Sequence, residues 1–243
     1  MKFYEFGTQN KTSIMLIPGT KCHWKNNFGQ VIPLLEKDFH VICVSYDGFD
    51  ETEHTTYPDT ITEAEKMERY ITEHLNGAVD ILYGCSLGGT FVGQLIYRGN
   101  IHVRHGILGS SDLDQSGEIA ARLNQNLTNP LIYKYMHRGY LPVWIVKMMK
   151  KIWGEDYTDA ALKMMGIGGV DMSFVSKESC YNQDYYDAIT PLADHIDVQG
   201  TKVHIFYALK MGKKYKKRYL RHFISPDIRE HDYEHCVCQP RSA

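Results

Sequence analysis

The chain has 243 residues, of which 43% are hydrophobic and 23% charged, and this is enough for one large α/β domain with a full core. Its 27 lysine and arginine residues nearly balance 29 aspartate and glutamate residues, so the net charge of -2 argues against nucleic acid as a partner. An aromatic content of 12% argues against a disordered chain.

Three features of the sequence indicate where in the cell the protein is located. No apolar run reaches the roughly 18 residues of a membrane span, and the longest, residues 141–153, is interrupted by lysines. The first residues lack the charged and apolar regions of a secretory signal. The six cysteines do not have the spacing of a disulfide framework, so we expect reduced thiols in a cytoplasmic protein.

Short apolar runs alternate with amphipathic stretches, a pattern typical of a doubly wound, mostly parallel sheet. The predicted strands are residues 13–18, 40–45, 79–83, 102–108, 202–208 and 227–231. The clearest predicted helix, 60–76, has a capping box of Thr62 and Glu65 and ends at Gly77. Further helices are predicted around 31–35 and over 90–97.

Residues 114–189 interrupt this alternation, because they contain helical patterns and no clear strand. We therefore predict a sheet domain formed by residues 1–113 and 190–243, with a helical insertion over 114–189. The insertion is rich in methionine, whose flexible side chain adapts to irregular apolar shapes.

The sequence Gly84-Cys85-Ser86-Leu87-Gly88 fits the pattern G-x-S-x-G and lies between a predicted strand and a predicted helix. A sharp strand-to-helix turn would raise the Ser86 hydroxyl above the sheet, and the glycines avoid collisions within that turn. The N-terminus of the helix would direct free N–H groups toward the reacting oxygen. This context favours Ser86 as a nucleophile over a glycine-rich packing turn with an incidental serine.

With this motif the chain resembles the α/β-hydrolase family over nearly its whole length. The resemblance implies an α/β-hydrolase fold in which the insertion is a helical lid over the active site. It also implies an oxyanion hole made by two backbone N–H groups, those of Thr20 and Leu87. Thr20 follows Pro18-Gly19 at the position where the family usually has His-Gly, so Pro18 replaces the usual histidine.

The resemblance places a catalytic histidine a few residues after the last strand, and both His231 and His235 are candidates. If 227–231 is the strand and 232–234 the turn, His235 is the favoured base. A histidine in a polar surface tail is the alternative for either residue.

The triad acid is harder to place, because the loop after strand 202–208 contains no carboxylate. The preceding strand offers Asp112 and Asp114, and we favour Asp112 because it is nearer the strand end. A solvated loop or a helix N-cap explains either residue equally well. Asp194 and Asp197 are weaker candidates, since they precede their strand.

Two further patterns have ordinary explanations. His231, His235, Cys236 and Cys238 are zinc-binding residue types, but the Cys-Val-Cys spacing matches no usual site, so we predict no metal. The basic run 210–221 is typical of a solvated helix face, although it could contact phosphate or anionic lipid.

These features together predict a serine hydrolase that cleaves a small or medium hydrophobic ester without a cofactor. Thioester, amide and acyl-transfer chemistry would use the same residues. The alternative is a non-catalytic ligand-binding protein with a hydrolase fold, which the missing carboxylate after strand 202–208 favours.

Overall fold

The computed structural model describes residues 1–111, 113, 116–127, 129–233 and 235, and these build one mixed sheet flanked by helices. In spatial order the strands are β1-β3-β2-β4-β5-β6-β7, with β1 antiparallel to β3 and the other neighbours parallel. The strands are β1 (Lys2–Phe6), β2 (Ser13–Ile17), β3 (His40–Ser45), β4 (Ala78–Cys85), β5 (His102–Gly109), β6 (Lys202–Ala208) and β7 (Asp227–His231).

The helices in the described residues fall into three groups along the chain. Between the first five strands lie α1 (Trp24–Phe28), α2 (Ile32–Leu35), α3 (Thr60–His74) and α4 (Leu87–Arg98). Between β5 and β6 lie α5 (Glu118–Leu127), α6 (Asn129–Arg138), α7 (Val143–Trp153), α8 (Glu155–Met164) and α9 (Lys177–Ile189). A last helix, α10 (Lys213–His222), connects β6 to β7.

The doubly wound sheet and all six predicted strands are confirmed, whereas β1 was not predicted. Its residues mix charged and aromatic side chains, and all are at least partly exposed, because β1 is an edge strand. It is held by antiparallel pairing with β3, for example of Phe3 with Val44. Such pairing depends on a distant partner, so the local sequence pattern does not reveal it.

The predicted start of the long helix at Thr60 is confirmed, but its predicted capping box of Thr62 and Glu65 was wrong. The N-cap of α3 is Asp59, whose carboxylate accepts hydrogen bonds from the Thr62 N–H at 2.8 Å and the Thr62 hydroxyl at 2.7 Å. Thr62 is thus bonded within the first turn and does not cap it. The helix predicted over 90–97, in contrast, begins earlier than predicted, at Leu87, directly after Ser86.

The two faces of the sheet are covered to different extents. The larger apolar cluster includes Met15, Leu82 and Leu108 from the strands together with residues of α3 and α4. The smaller cluster lies beneath α1, where Trp24 and Phe28 pack against strand residues. Because β2 and β4 are central and buried, their carboxyl ends are held firmly, and this edge is where parallel sheets usually bind ligands.

No helix in the described part of the chain combines the length and the apolar character needed to cross a bilayer.

Candidate active site

Ser86 occupies the turn between β4 and α4 in a strained backbone conformation, with φ 51° and ψ -115°. A positive φ is costly for a residue with a β-carbon and persists only where the surroundings impose it. Here the Ser86 N–H donates to the Gly109 carbonyl at 2.9 Å, and the Ser86 carbonyl accepts from the Gly89 N–H at 2.8 Å. The side chain is half-buried, so its hydroxyl remains accessible from outside the core.

Two glycines allow this turn to form. A β-carbon on Gly84 would overlap the backbone of Gly88, and one on Gly88 would overlap the carbonyl oxygen of Ile17. The obstacles are backbone atoms of the core, which cannot move aside as a flexible side chain can. The strand, the turn and the helix can therefore approach each other closely only with glycine at both positions.

The turn that follows β2 lies directly beside Ser86. A β-carbon built on Gly19 would be 3.6 Å from the Ser86 β-carbon. The Gly19 N–H donates to the Asn27 side chain at 2.9 Å, and the Tyr46 hydroxyl donates to the Pro18 carbonyl at 2.8 Å. Buried side chains thus hold the β2 turn against the β4 turn.

Two backbone N–H groups in these two turns, those of Leu87 and Thr20, have no hydrogen-bond acceptor among the described residues. Leu87 is the first residue of α4, so its N–H has no partner within the helix. Within the described residues the Thr20 N–H also has no acceptor. The positive end of the α4 dipole adds to these donors, and together they suit a developing negative charge on an oxygen.

A buried ion pair joins this turn to the helices between β5 and β6. Lys21, at φ 55°, forms an ion pair with Asp184 of α9, and their side chains are only 6% and 10% exposed. Its ammonium also donates to Asn129 of α6 at 2.8 Å, and its backbone N–H donates to Gln183 of α9 at 2.6 Å. The sequence does not predict this network, because nothing near Lys21 indicates that its partners lie more than 100 residues away.

The neighbouring thiol is not a competing nucleophile. Cys22 is buried, and burial raises the pKa of its thiol to about 12, so the thiol stays protonated at neutral pH.

His235 follows β7 and is half-buried. The segment before it returns beside the carboxyl end of β6, where the Lys210 N–H donates to the Tyr233 carbonyl at 3.1 Å. This is the same edge of the sheet that carries Ser86. Within the described residues the Ser86 hydroxyl has no hydrogen-bond partner, so the structure does not join Ser86 and His235 by a hydrogen bond.

His231, the other candidate base, is the last residue of β7. Its ring stacks on Tyr233 with centroids 5.5 Å apart and meets Phe206 edge-on at 5.8 Å. His231 thus packs among aromatic rings at the strand end, whereas His235 comes after the turn.

Both favoured acids, Asp112 and Asp114, lie outside the described residues, as do Cys236 and Cys238. The chain leading to Asp112 leaves β5 beside β6, where the Ser110 N–H donates to the Phe206 carbonyl at 3.1 Å. The weaker candidate Asp194 is instead paired with Arg221 at 2.9 Å. In the described part of the chain no group of His, Cys, Asp and Glu side chains is arranged to hold a metal.

A cavity of about 210 Å³ lies elsewhere, at the opposite edge of the sheet. It is lined by Lys202 and Asp227, the first residues of β6 and β7. Since Ser86 is at the carboxyl edge, this cavity is not part of the candidate active site.

The comparisons with known proteins agree with this architecture. The model of the alpha/beta hydrolase family matches residues 14–204, which is most of the chain, and the chain therefore belongs to that family. No curated protein sequence matches it.

Solved structures share the fold at low sequence identity. A putative alpha/beta hydrolase family protein from Desulfitobacterium hafniense is 17% identical, with a TM-score of 0.73 over 94% of this chain and 90% of that one. The enol-lactonase from Burkholderia xenovorans is 13% identical, with a TM-score of 0.65 over 95% and 87%. MenH from S. aureus is 14% identical, with a TM-score of 0.64 over 94% and 88%. At such identities the likeness establishes the fold.

Replacing Gly88 by alanine tests the close approach of the two turns. We expect Gly88→Ala to lower the free energy of unfolding by about 1–3 kcal/mol, because the new methyl group meets the Ile17 carbonyl. Gly93→Ala in the same helix is the matched control, since its new methyl group meets side chains and no backbone, those of Leu192 at 3.0 Å and Phe223 at 3.5 Å. Urea unfolding measures both, and equal stability of the two variants would contradict the account.

The Lys21–Asp184 pair is tested by a double-mutant cycle. Lys21→Met leaves the Asp184 carboxylate buried without its partner, so we expect a loss of about 3–5 kcal/mol in urea unfolding. The double variant Lys21→Met/Asp184→Leu should lose much less than the sum of the two single variants. If the loss in the double variant equals the sum of the losses in the two single variants, the ion pair does not stabilise the contact between the β2 turn and α9.

Proposed function

We propose that this chain is a serine hydrolase that cleaves a carboxylic ester through an acyl-enzyme. The observation that carries the proposal is the strained Ser86 turn, whose accessible hydroxyl lies beside two unbonded backbone N–H groups. A strained serine between a strand and a helix N-terminus has no evident structural purpose, whereas nucleophilic attack requires this exposure.

In the proposed mechanism Ser86 attacks the ester carbonyl while His235 takes the serine proton. The Thr20 and Leu87 N–H groups bind the oxyanion, and removal of one such donor typically costs about 10²–10³ in rate. His235 then returns the proton to the leaving alcohol, and water attacks the acyl-enzyme with His235 again acting as base. Family membership and the position of His235 at the Ser86 edge support this assignment.

Asp112 is the acid that we propose for orienting the His235 ring. Its support is the path of the chain, because Gly109 bonds to Ser86 and Ser110 bonds to Phe206 at the end of β6. The segment containing His235 lies beside that same end of β6. Loss of such an acid costs about 10⁴ in rate, so its presence decides between an efficient and a poor enzyme.

We further propose that residues 114–189 act as a lid on a core formed by 1–113 and 190–243. The support is the contact of α6 and α9 with the β2 turn through Lys21, which brings the insertion to the candidate site. Its apolar and methionine-rich composition suits a small or medium hydrophobic substrate.

Two structural neighbours support an ester as the substrate class. One is the enol-lactonase from Burkholderia xenovorans, and another is Est816, described as degrading N-acyl homoserine lactones. A lactone is a cyclic carboxylic ester. A cytoplasmic location belongs to the same proposal, supported by the free thiols of Cys22, Cys43, Cys85 and Cys180.

A non-catalytic binding protein is the second candidate. It is favoured by the loop after β6, Leu209–Met211 and Gly212, which contains no carboxylate. It is also favoured by the Ser86 hydroxyl, which has no hydrogen-bond partner among the described residues. Such a protein would bind an ester in the same place and release it unchanged.

Fluorophosphonate labelling separates the two candidates. We expect the wild-type protein to gain one covalent label, detected by intact mass, because the Ser86 oxygen displaces the fluoride. Ser86→Ala should abolish both labelling and ester hydrolysis. Ser111→Ala is the matched control, since this nearby serine is buried and its hydroxyl has no partner among the described residues. A wild-type protein without label would favour the binding protein.

The base and acid are tested by paired substitutions. His235→Ala should lower kcat for ester hydrolysis by about 10⁴ or more, and Asp112→Asn by about 10⁴. His231→Ala and Asp114→Asn are the controls and should remain near wild type. The reverse result in either pair would show that the neighbouring residue holds the role.

A further inference from the structure

Helix α7 presents an uncovered apolar surface. None of its residues is buried, and its exposed residues include two lysines and four aromatic or β-branched residues, Val143, Trp144, Ile152 and Trp153. Trp144, Met148 and Ile152 are 67%, 48% and 63% exposed. They are four residues apart, so they form one continuous row along the helix.

These three side chains are exposed because apolar residues cover more of the α7 surface than its neighbours bury. At about 100° per residue, the apolar side chains from Trp144 round to Val146 span roughly 200° of the helix. Ile145 and Met149 are half-buried, and α7 packs against α8 through Trp153, whose ring meets that of Tyr157. The remaining part of the arc, with Trp144, Met148 and Ile152, faces outward.

Positive charge borders this row. Lys147 and Lys151 are exposed next to it, and among the described residues neither forms an ion pair. Lys150 is on the other side and pairs with Asp159 of α8 at 3.0 Å. Residues 139–154 contain no aspartate or glutamate, in a chain whose net charge is -2.

We propose that α7 docks on an anionic lipid surface. Trp144, Met148 and Ile152 would enter the boundary between headgroups and acyl chains, and Lys147 and Lys151 would reach the lipid phosphates. A row of apolar and tryptophan side chains edged by lysines is the pattern of an interfacial helix, which lies on a bilayer without crossing it. The long lysine side chains allow the apolar row to be buried while their ammonium groups stay with the phosphates.

The charges argue against a second copy of this chain as the occupant. A twofold contact between two α7 helices would bring four lysines, Lys147 and Lys151 of each, to one apolar interface. Residues 139–154 supply no carboxylate to neutralise them. An anionic bilayer satisfies both the apolar row and the lysines, and this inference does not depend on the proposed ester hydrolysis.

Vesicle co-sedimentation tests the proposal with the full chain. We expect binding to vesicles of phosphatidylcholine mixed with phosphatidylglycerol, weaker binding to phosphatidylcholine alone, and weakening by salt. Trp144→Ser/Ile152→Ser and Lys147→Gln/Lys151→Gln should each reduce binding at least about tenfold. Because all four side chains are exposed, circular dichroism should show unchanged folding.

Two matched variants control for general effects of apolarity and charge. Ile119→Ser/Leu123→Ser removes side chains that are 80% and 56% exposed on α5, and Lys213→Gln/Lys214→Gln removes two exposed charges from the basic helix α10. Both should bind the mixed vesicles as the wild type does.

Three outcomes would overturn the proposal. The first is a wild-type chain that does not bind the mixed vesicles. The second is an α5 or α10 variant that loses as much binding as the α7 variants. The third is a wild-type dimer in sedimentation velocity that Trp144→Ser dissociates, because a second copy would then cover the row.

Discussion

The candidate site depends on the close backbone approach between the turn after β4 and the turn after β2. Gly84 and Gly88 remove the side chains that would separate these turns, and the parallel pairing of Ile17 with Gly84 fixes their register. The backbone then has little freedom at Ser86, which takes a positive φ between a strand and a helix that are both held by the core. As the proposed nucleophile, Ser86 would need no rearrangement before attack, because folding already places it.

The second element of the site is the polar network that secures the β2 turn from the opposite side. Lys21 places a charge in the interior, which is stable only because Asp184 and Asn129 surround its ammonium group. This makes the position of the turn dependent on α6 and α9. Movement of the helices between β5 and β6 would therefore change the position of the Thr20 N–H. If α7 rests on a lipid surface, α8 connects it to α1, which follows the β2 turn.

The sequence was sufficient to predict those strands and turns whose structure depends on neighbouring residues in the chain. Apolar runs revealed strands β2 to β6, and a short strand-like segment revealed β7 at the sheet edge. The glycines around Ser86 revealed the turn, because their spacing reflects a steric requirement. Features that depend on distant partners were not accessible. The edge strand β1 needs β3, and the buried state of Lys21 needs Asp184, 163 residues further on. The cap at Asp59 was missed for another reason, since Thr62 offers an equally good capping pattern and only the backbone distinguishes them. The base and the acid depended on family resemblance, and they stay predictions.

The most direct test of the central claim is to find the acyl group itself. The protein would be mixed with p-nitrophenyl acetate, quenched in acid within seconds, digested with trypsin and analysed by mass spectrometry. Ser86 lies in the tryptic peptide of residues 70–98, which follows Arg69 and ends at Arg98. The account predicts an acetyl group on this peptide, localised by fragmentation to Ser86. Release of nitrophenol with the acetyl group on Cys85 or on another peptide would contradict it.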